Sequence, residues 1–266
     1  MASTKESITK DIVRICVPFE AIYTSVFIVS TDEGVALLDC ATTRQDVEAY
    51  ILPALAELRL VPDLIVASHS HGDHMGGMPH LAGFFPAAKL AMVSQACAER
   101  YPAERRHILH DGERLLGCLR VLHLSGHCRD AIAILDERTK TLLTFDCLQA
   151  QGVDRFGTGL EDVAAYIKTV DRISAEDIEL LVASHEYVPT GSIARGKREI
   201  DRYLTACRED IHRICTFVSA HPDDTTAEIC SSFQAAYPHH PTVHGRTFEA
   251  VKIMIERGND EGRSLF

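Results

Sequence analysis

The chain has 266 residues, of which 46% are hydrophobic and 24% are charged, a composition typical of a globular protein with a full hydrophobic core. Its 27 basic and 38 acidic residues give a formal net charge of −11, which argues against binding to the phosphate backbone of a nucleic acid. No apolar run approaches the roughly 20 residues that cross a bilayer, and the N-terminal stretch MASTKESITKD lacks the apolar core of a secretory signal. Nine scattered cysteines without a C-x-x-C pair indicate reduced thiols, so we expect a cytoplasmic protein without membrane or nucleic-acid contacts.

The first part of the chain alternates strand patterns with one clear helix. Apolar, β-branched runs predict strands over residues 23–31 and 35–39, joined by an Asp-Glu-Gly turn signal. Apolar residues at helical spacing predict an amphipathic helix over residues 44–60. Later strands are predicted over residues 63–68, 89–93, 119–124, 131–135 and 141–145.

The pattern changes in the last third of the chain. A helix over residues 161–173 and a strand over 178–183 precede three helices, near 194–218, 225–236 and 244–257, with no convincing strand after residue 193. In the turn PHHPTVHG the prolines and the irregular spacing favour a helix-capping turn over a metal site at His239, His240 and His244. The order of elements predicts an α/β core over residues 1–191 and a helical cap over residues 192–266, packed on the core.

The stretch SHSHGDHMGG, residues 68–77, places three histidines and one aspartate within six positions, directly after a buried strand pattern. A His-x-His pair in an extended segment points both imidazoles to the same side, because side chains alternate with a period of two. His69, His71, Asp73 and His74 could serve two metal ions if other ligands arrive from elsewhere. The alternative is a solvated polar loop, but chance assembly of this pattern after an apolar strand is rare.

The run from His69 to His74, followed by Gly76-Gly77, resembles the signature of the metallo-β-lactamase fold superfamily. The resemblance covers residues 23 to 190 and implies a four-layer αββα sandwich with a C-terminal helical extension. Four further candidates occur in the family's order, each at the end of a predicted strand: Asp39 in VALLD, His127 in LSGHCRDA, Asp146 in LLTFDCL and His185 in LLVASHEY.

The resemblance also implies roles for these residues. It implies two divalent metal ions, of which zinc best suits a mixture of imidazole and carboxylate, although iron and manganese accept the same ligands. A hydroxide between the metals would attack an ester, thioester or lactone carbonyl, with Asp73 and Asp146 as catalytic carboxylates and no separate Ser or Cys nucleophile. The implied ligands are His69, His71 and His127 for one metal, Asp73, His74 and His185 for the other, and Asp146 between them, with Asp39 supporting the metal loop.

Three departures from the family pattern leave these ligands intact but alter the pocket. Phe145 stands where a glycine commonly precedes the bridging aspartate. Ser184 and Glu186 flank His185 where glycines are frequent, and residues 128–130, Cys-Arg-Asp, replace the usual small residues after His127.

The tripeptide His185-Glu186-Tyr187 resembles the H-E-Y sequence of the glyoxalase II branch, the hydroxyacylglutathione hydrolases. That likeness implies Tyr187 and Arg155 as substrate contacts, and a hydroxyl with a guanidinium suits a carboxylate. The branch's C-terminal basic motif is not convincingly present, since Arg246 and Lys252 are loose matches. We therefore expect a small acyl substrate without specifying glutathione, and a homodimer remains open.

Four other functions remain as alternatives. A mononuclear iron persulfide dioxygenase would use the same fold, but the complete second-metal ligands argue against it. A nucleic-acid phosphodiesterase is disfavoured by the acidic balance. A catalytically silent metal-binding protein whose helical tail recruits a partner is the non-enzymatic alternative. An antibiotic-degrading lactamase is disfavoured because such enzymes are usually exported.

Overall fold

The computed structural model describes residues 4–153 and 156–260, which form two compact units. The first unit consists of the described residues up to His123, Asp130–Phe145 and Val182–His185. The second consists of Leu124–Arg129, Asp146–Leu181 and the described residues from Glu186 onward. Each unit therefore combines distant stretches of chain, and the division at residue 191 stays a prediction.

A seven-stranded sheet belongs to the first unit, and its strands lie side by side in chain order. They are β1 (Thr4–Ser7), β2 (Ile12–Phe19), β3 (Ile22–Thr31), β4 (Gly34–Leu38), β5 (Leu64–Val66), β6 (Lys89–Met92) and β7 (Arg106–Ile108). Strands β1 to β4 pair antiparallel across short connections, whereas β4 to β7 pair in parallel because longer connections return the chain to the same edge. Leu38 lies beside Val66, so the residues that follow β4 and β5 meet at one edge of the sheet.

The helices of the first unit are short. The helix predicted over residues 44–60 is confirmed, but it consists of α1 (Arg44–Asp46), a π-helical segment (Val47–Ile51) and α2 (Leu52–Leu58). Its start is fixed by a capping box in which Thr43 and Asp46 exchange hydrogen bonds. Three further helices, α3 (Gly72–Met75), α4 (Met78–Phe84) and α5 (Gln95–Ala98), were not predicted.

A six-stranded sheet contains the later strands in the order β13-β12-β11-β10-β9-β8. They are β8 (Arg114–Leu115), β9 (Leu119–His123), β10 (Ile132–Asp136), β11 (Thr141–Phe145), β12 (Leu180–Tyr187) and β13 (Gly191–Arg195). The strand predicted over residues 178–183 extends further, so that it includes His185. Strand β13 reaches past residue 193, which corrects the expectation of no strand after that point.

Four longer helices belong to the second unit: α6 (Val163–Ser174), α7 (Gly196–Ser219), α8 (Thr226–Ala236) and α9 (Gly245–Asp260). Helix α6 begins where the Asp162 side chain accepts a hydrogen bond from Ala165, and it buries Tyr166, Val170 and Ile173 on one face. Two sheets, helices and a helical C-terminal region confirm the predicted α/β class. Among the described residues, no helix combines the length and hydropathy that crossing a bilayer requires.

Candidate metal centre

Asp39 and Ser68 follow the neighbouring parallel strands β4 and β5, and they hold the histidine-rich loop of the first unit. Asp39 is fully buried and accepts three hydrogen bonds: from Ser68 N (2.7 Å), Ser68 Oγ (2.9 Å) and His74 Nδ1 (2.7 Å). Burial raises the pKa of Asp39, and the bonds from His74 and Ser68 oppose that rise. Since the proton on His74 lies at Nδ1, the Nε2 lone pair of this ring is available to a metal ion.

His69 and His71 form a close pair. The Ser68 hydroxyl donates to Asp39, so it accepts from Nδ1 of His69 (3.0 Å), and Nε2 of His69 then carries the lone pair. That atom lies 3.1 Å from Nδ1 of His71. Two ring nitrogens at this distance can share either one proton or one cation, and the second arrangement is that of two ligands of one metal ion.

Asp73, His74 and His185 form a second group in the same unit. Nδ1 of His185 donates to the carbonyl oxygen of Tyr23 (2.6 Å), so the lone pair of this ring lies on Nε2. Asp73 Oδ2 lies 3.1 Å from Nε2 of His74 and 3.5 Å from Nε2 of His185. The ligand atoms of all three residues lie within 4.8 Å of one another.

His127 and Asp146 are the ligand candidates of the second unit. Nε2 of His127 lies 3.5 Å from Oδ2 of Asp146, and both residues are buried. The Tyr187 hydroxyl donates to the other carboxylate oxygen of Asp146 (3.1 Å). Burial and the neighbouring Asp146 raise the pKa of Tyr187 well above its usual value, so Tyr187 remains a donor at neutral pH.

Two partners compete for Nδ1 of His127, each at 2.7 Å. The carbonyl oxygen of Gly159 accepts from Nδ1 when that atom carries the proton, and the Gln149 amide donates to Nδ1 when it does not. Only the first arrangement leaves Nε2 able to bind a metal ion. Gln149 also accepts from Gly159 N (2.8 Å), so this segment of backbone determines the orientation of the ring.

The glycine pair of the motif allows a close backbone contact. Cys40 N donates to the carbonyl oxygen of His74 (2.8 Å), and Gly77 N donates to that of Ala41 (3.0 Å). A Cβ at Gly77 would lie 2.0 Å from the carbonyl oxygen of Cys40, and one at Gly76 would be similarly obstructed. Only glycine fits there, because real Cβ atoms do not approach so closely.

Phe145, which replaces a common glycine, adopts the left-handed conformation that glycine favours, with φ of 46°. Its side chain is buried and packs edge-on against Phe27, with ring centroids 5.8 Å apart. A buried aromatic contact therefore offsets a conformational cost of about 1–2 kcal/mol.

The remaining predicted residues have varied positions. Tyr187 is 2% exposed, and its predicted role as a substrate contact stays a prediction. Arg155 lies outside the described residues. The turn containing His239 and His244 precedes α9, but His240 is buried and bonded to Asp210, which the sequence analysis did not anticipate. Ser68, Tyr23, Gln149 and Gly159 were also missed as partners of the histidines; of these, only Ser68 adjoins the motif in sequence.

Each unit thus presents atoms that fit a divalent metal ion. Four imidazoles have Nδ1 against a protein oxygen, which directs Nε2 toward a ligand role, and two carboxylates lie beside them. Imidazole nitrogen and carboxylate oxygen are the ligands that zinc accepts in hydrolytic sites.

Comparison with known families gives one broad match. Residues 20–185 match the model of the metallo-beta-lactamase superfamily. A metallo-beta-lactamase family protein of Thermus thermophilus has a similar structure, with a TM-score of 0.66 and 20% identity, over 96% of this chain and 95% of that chain. This structural likeness confirms the predicted fold.

The matches to curated relatives cover only part of each relative. A hydroxyacylglutathione hydrolase of Aeromonas hydrophila is 32% identical over 52% of this chain and 53% of its own length. An atrochrysone carboxyl ACP thioesterase of Aspergillus fumigatus is 25% identical over 67% of this chain and 56% of its own. A beta-lactamase-like protein 2 homolog of Caenorhabditis elegans is 22% identical over 90% of this chain and 80% of its own. Against the first three curated relatives, the chain spans 51% to 56% of their length.

Proposed function

Because this chain belongs to the metallo-beta-lactamase superfamily of hydrolases, we propose that it is a dinuclear zinc enzyme that cleaves an ester, thioester or lactone bond of a small acyl substrate. The observation that carries the proposal is the ring geometry of the histidines. Four have Nδ1 bound to a protein oxygen and present Nε2 as a ligand atom. Such uniform orientation is expected of metal ligands and has no purpose in a solvated polar loop.

The proposed ligand set rests on the family assignment. Bound zinc ions would lower the pKa of a water molecule toward about 7 and polarise the scissile carbonyl. The chain's own side chains supply orientation: Asp39 orients His74, and Tyr187 directs one oxygen of Asp146 away from His127. The proposed ligands are His69, His71 and His127 for one ion, Asp73, His74 and His185 for the other, and Asp146 between them.

A groove in the second unit supports the proposal that the substrate carries an acyl group. It has a volume of about 850 Å³, lies between α6 and α9, and is bounded by the residues on either side of His127. Ile167, Ile253 and Met254 line it, while Ala164 and Ala250 leave room because their side chains are short. Arg129, Glu161, Asp162, Lys168 and Arg257 also line it, so the groove is apolar on only part of its surface. A cavity of this size is typical of small-molecule sites, and we propose that its apolar part accepts the acyl chain.

The proposal is tested by metal analysis and hydrolysis assays on the purified chain. We expect two zinc ions per chain and cleavage within a panel of esters, thioesters and lactones. His71→Ala should lose one ion and at least a thousandfold in kcat/KM, whereas His239→Ala, at an exposed histidine, should lose neither. Unchanged turnover in His71→Ala would remove the proposed function.

A chain-length series tests the acyl groove separately. Octanoyl thioesters should be cleaved with a higher kcat/KM than acetyl thioesters, and Ile253→Asp should remove about tenfold of that advantage. Acetyl thioester cleavage should be unaffected by this change. Equal effects on both substrates would show that the groove does not bind the chain.

A further inference from the structure

A polar cluster around a buried carboxylate lies in the second unit, among residues that are not ligand candidates. Asp210 of α7 is 1% exposed and accepts hydrogen bonds from His240 Nε2 (2.6 Å), Arg213 Nη1 (2.9 Å) and Thr158 Oγ1 (3.1 Å). His240 has an acceptor at each ring nitrogen, because its Nδ1 lies 2.6 Å from the carbonyl oxygen of Pro241. Each ring nitrogen of His240 therefore faces an oxygen acceptor, which fixes the orientation of the ring.

Such a cluster is poorly explained by stability alone. Removing charges from water costs several kcal/mol per ion, and their mutual attraction often only balances that cost. What a buried ionic cluster does provide is a fixed geometry, since each partner that moves leaves a charge unpaired. The partner of Asp210 that belongs neither to its own helix nor to the His240 turn is the hydroxyl of Thr158.

Thr158 belongs to the backbone segment that contacts His127. The Thr247 hydroxyl donates to the carbonyl oxygen of Thr158 (2.9 Å) and accepts from Leu160 N (2.9 Å). Between these two residues lies Gly159, whose carbonyl oxygen accepts from Nδ1 of His127. The segment is thus bound to α7 through Asp210 and to α9 through Thr247 and Arg246, whose Nη2 donates to the Gly159 carbonyl (3.3 Å) beside the His127 ring.

We infer that Asp210 and His240 are positioning residues for His127: they hold the segment containing Thr158 and Gly159, so that the Gly159 carbonyl keeps the proton of His127 on Nδ1. If the segment shifts, the Gln149 amide, which also lies 2.7 Å from Nδ1, becomes the better partner and favours the proton on Nε2. That tautomer cannot bind a metal ion through Nε2. The inference deepens the proposed function, because its consequence for zinc rests on His127 being a ligand.

The test uses Thr158→Val, which removes the hydroxyl and keeps the side-chain volume, and Asp210→Asn. In the metal-free wild-type chain, ¹⁵N NMR should show His127 protonated at Nδ1. Both variants should show a second population protonated at Nε2, and competition with a chelator should show a 10–100-fold loss of zinc affinity at one site.

Thr141→Val, at a buried threonine of β11 whose hydroxyl bonds Thr139, is the matched control. It should lower Tm without changing the His127 signals or zinc binding. If Asp210→Asn fails to fold, Thr158→Val still decides the question. A lower Tm in Thr158→Val with wild-type His127 signals would overturn the inference, because a purely structural role predicts that result. A wild-type chain that binds no zinc would refute the proposed function, while the NMR comparison would still test the positioning.

Discussion

His74 of the first unit and His127 of the second unit are supported in different ways. In the first unit, His74 is held by a side chain, Asp39, which follows the strand next to the one preceding the motif. In the second unit, His127 is held by a backbone carbonyl, that of Gly159, whose own position depends on residues of α7 and α9. A carboxylate can be deleted by one substitution, whereas a carbonyl can only be moved. The comparison therefore predicts an abrupt response to mutation of the support of His74 and a graded response to mutations around His127.

The largest expected effect is that of Asp39→Ala. The change leaves Nδ1 of His74 and the amide of Ser68 without their buried acceptor; at about 1–3 kcal/mol for each unsatisfied donor, the free energy of unfolding should fall by about 2–6 kcal/mol. Zinc affinity should fall 10–100-fold as well. Urea unfolding of the metal-free chain measures the first effect, with Asp223→Ala, at an exposed aspartate, as a control that should stay within about 0.5 kcal/mol. If Asp39→Ala unfolds at the wild-type urea concentration, the support assigned to Asp39 is wrong.

Two buried cysteines of the second unit should make the protein sensitive to alkaline pH. Burial raises the pKa of Cys207 to about 11 and that of Cys215 to about 12, from an ordinary value near 9. Their contribution to stability is complete below pH 9 and is lost as pH rises toward these values, because the unfolded chain releases the protons first. Between pH 8 and pH 10, ionisation of the two thiols should lower the free energy of unfolding by about 3 kcal/mol.

Urea unfolding at the two pH values, with wild type and with a Cys207→Ala/Cys215→Ala variant, measures this loss. The variant should start from a lower stability at pH 8 but lose about 3 kcal/mol less by pH 10. An equal loss in both proteins would mean that these thiols do not account for alkaline sensitivity.

The smallest expected effect is a difference of about 1 kcal/mol between two substitutions of Phe145, and it tests the φ angle of that residue. Phe145→Ala should destabilise the fold by about 3–5 kcal/mol, because the contact with Phe27 is lost and a cavity remains. Phe145→Gly should be about 1 kcal/mol less destabilising than Phe145→Ala, since glycine adopts a φ of 46° without strain. In an ordinary strand the order would be reversed, so thermal unfolding of the pair reports directly on the left-handed conformation.

Much of the fold could be predicted because its signals are local. The helix from Arg44 and the strands ending at Leu38 and Phe145 follow from apolar periodicity and turn residues. The strand Ile12–Phe19 was missed, although it pairs along its length with β3, and its neighbour Thr4–Ser7 is too polar to signal a strand. The short helix Gly72–Met75 was not predicted because one turn of helix leaves no periodic pattern.

Residues of the candidate site could likewise be predicted where they are close together in the sequence, and not where only the fold brings them together. His69, His71, Asp73 and His74 stand together in sequence, so their spacing alone suggests a metal centre. The roles of Gln149, Gly159 and Asp210 could not be predicted from the sequence. A single amide, a backbone carbonyl and a single carboxylate in a charged helix belong to no recognisable motif. His240 was assigned to a helix-capping turn for the same reason: its partner lies thirty positions earlier in the chain.

The contact between the glycine pair of the motif and the backbone at Cys40 has a consequence for protein engineering. In a saturation library across residues 68–77, positions 76 and 77 should return glycine alone, although neither residue carries any functional group. Gly72, which has open space around its Cα, should accept small side chains. Intolerance to substitution at positions 76 and 77 would therefore result from steric contact with the neighbouring backbone and not from a role in the reaction.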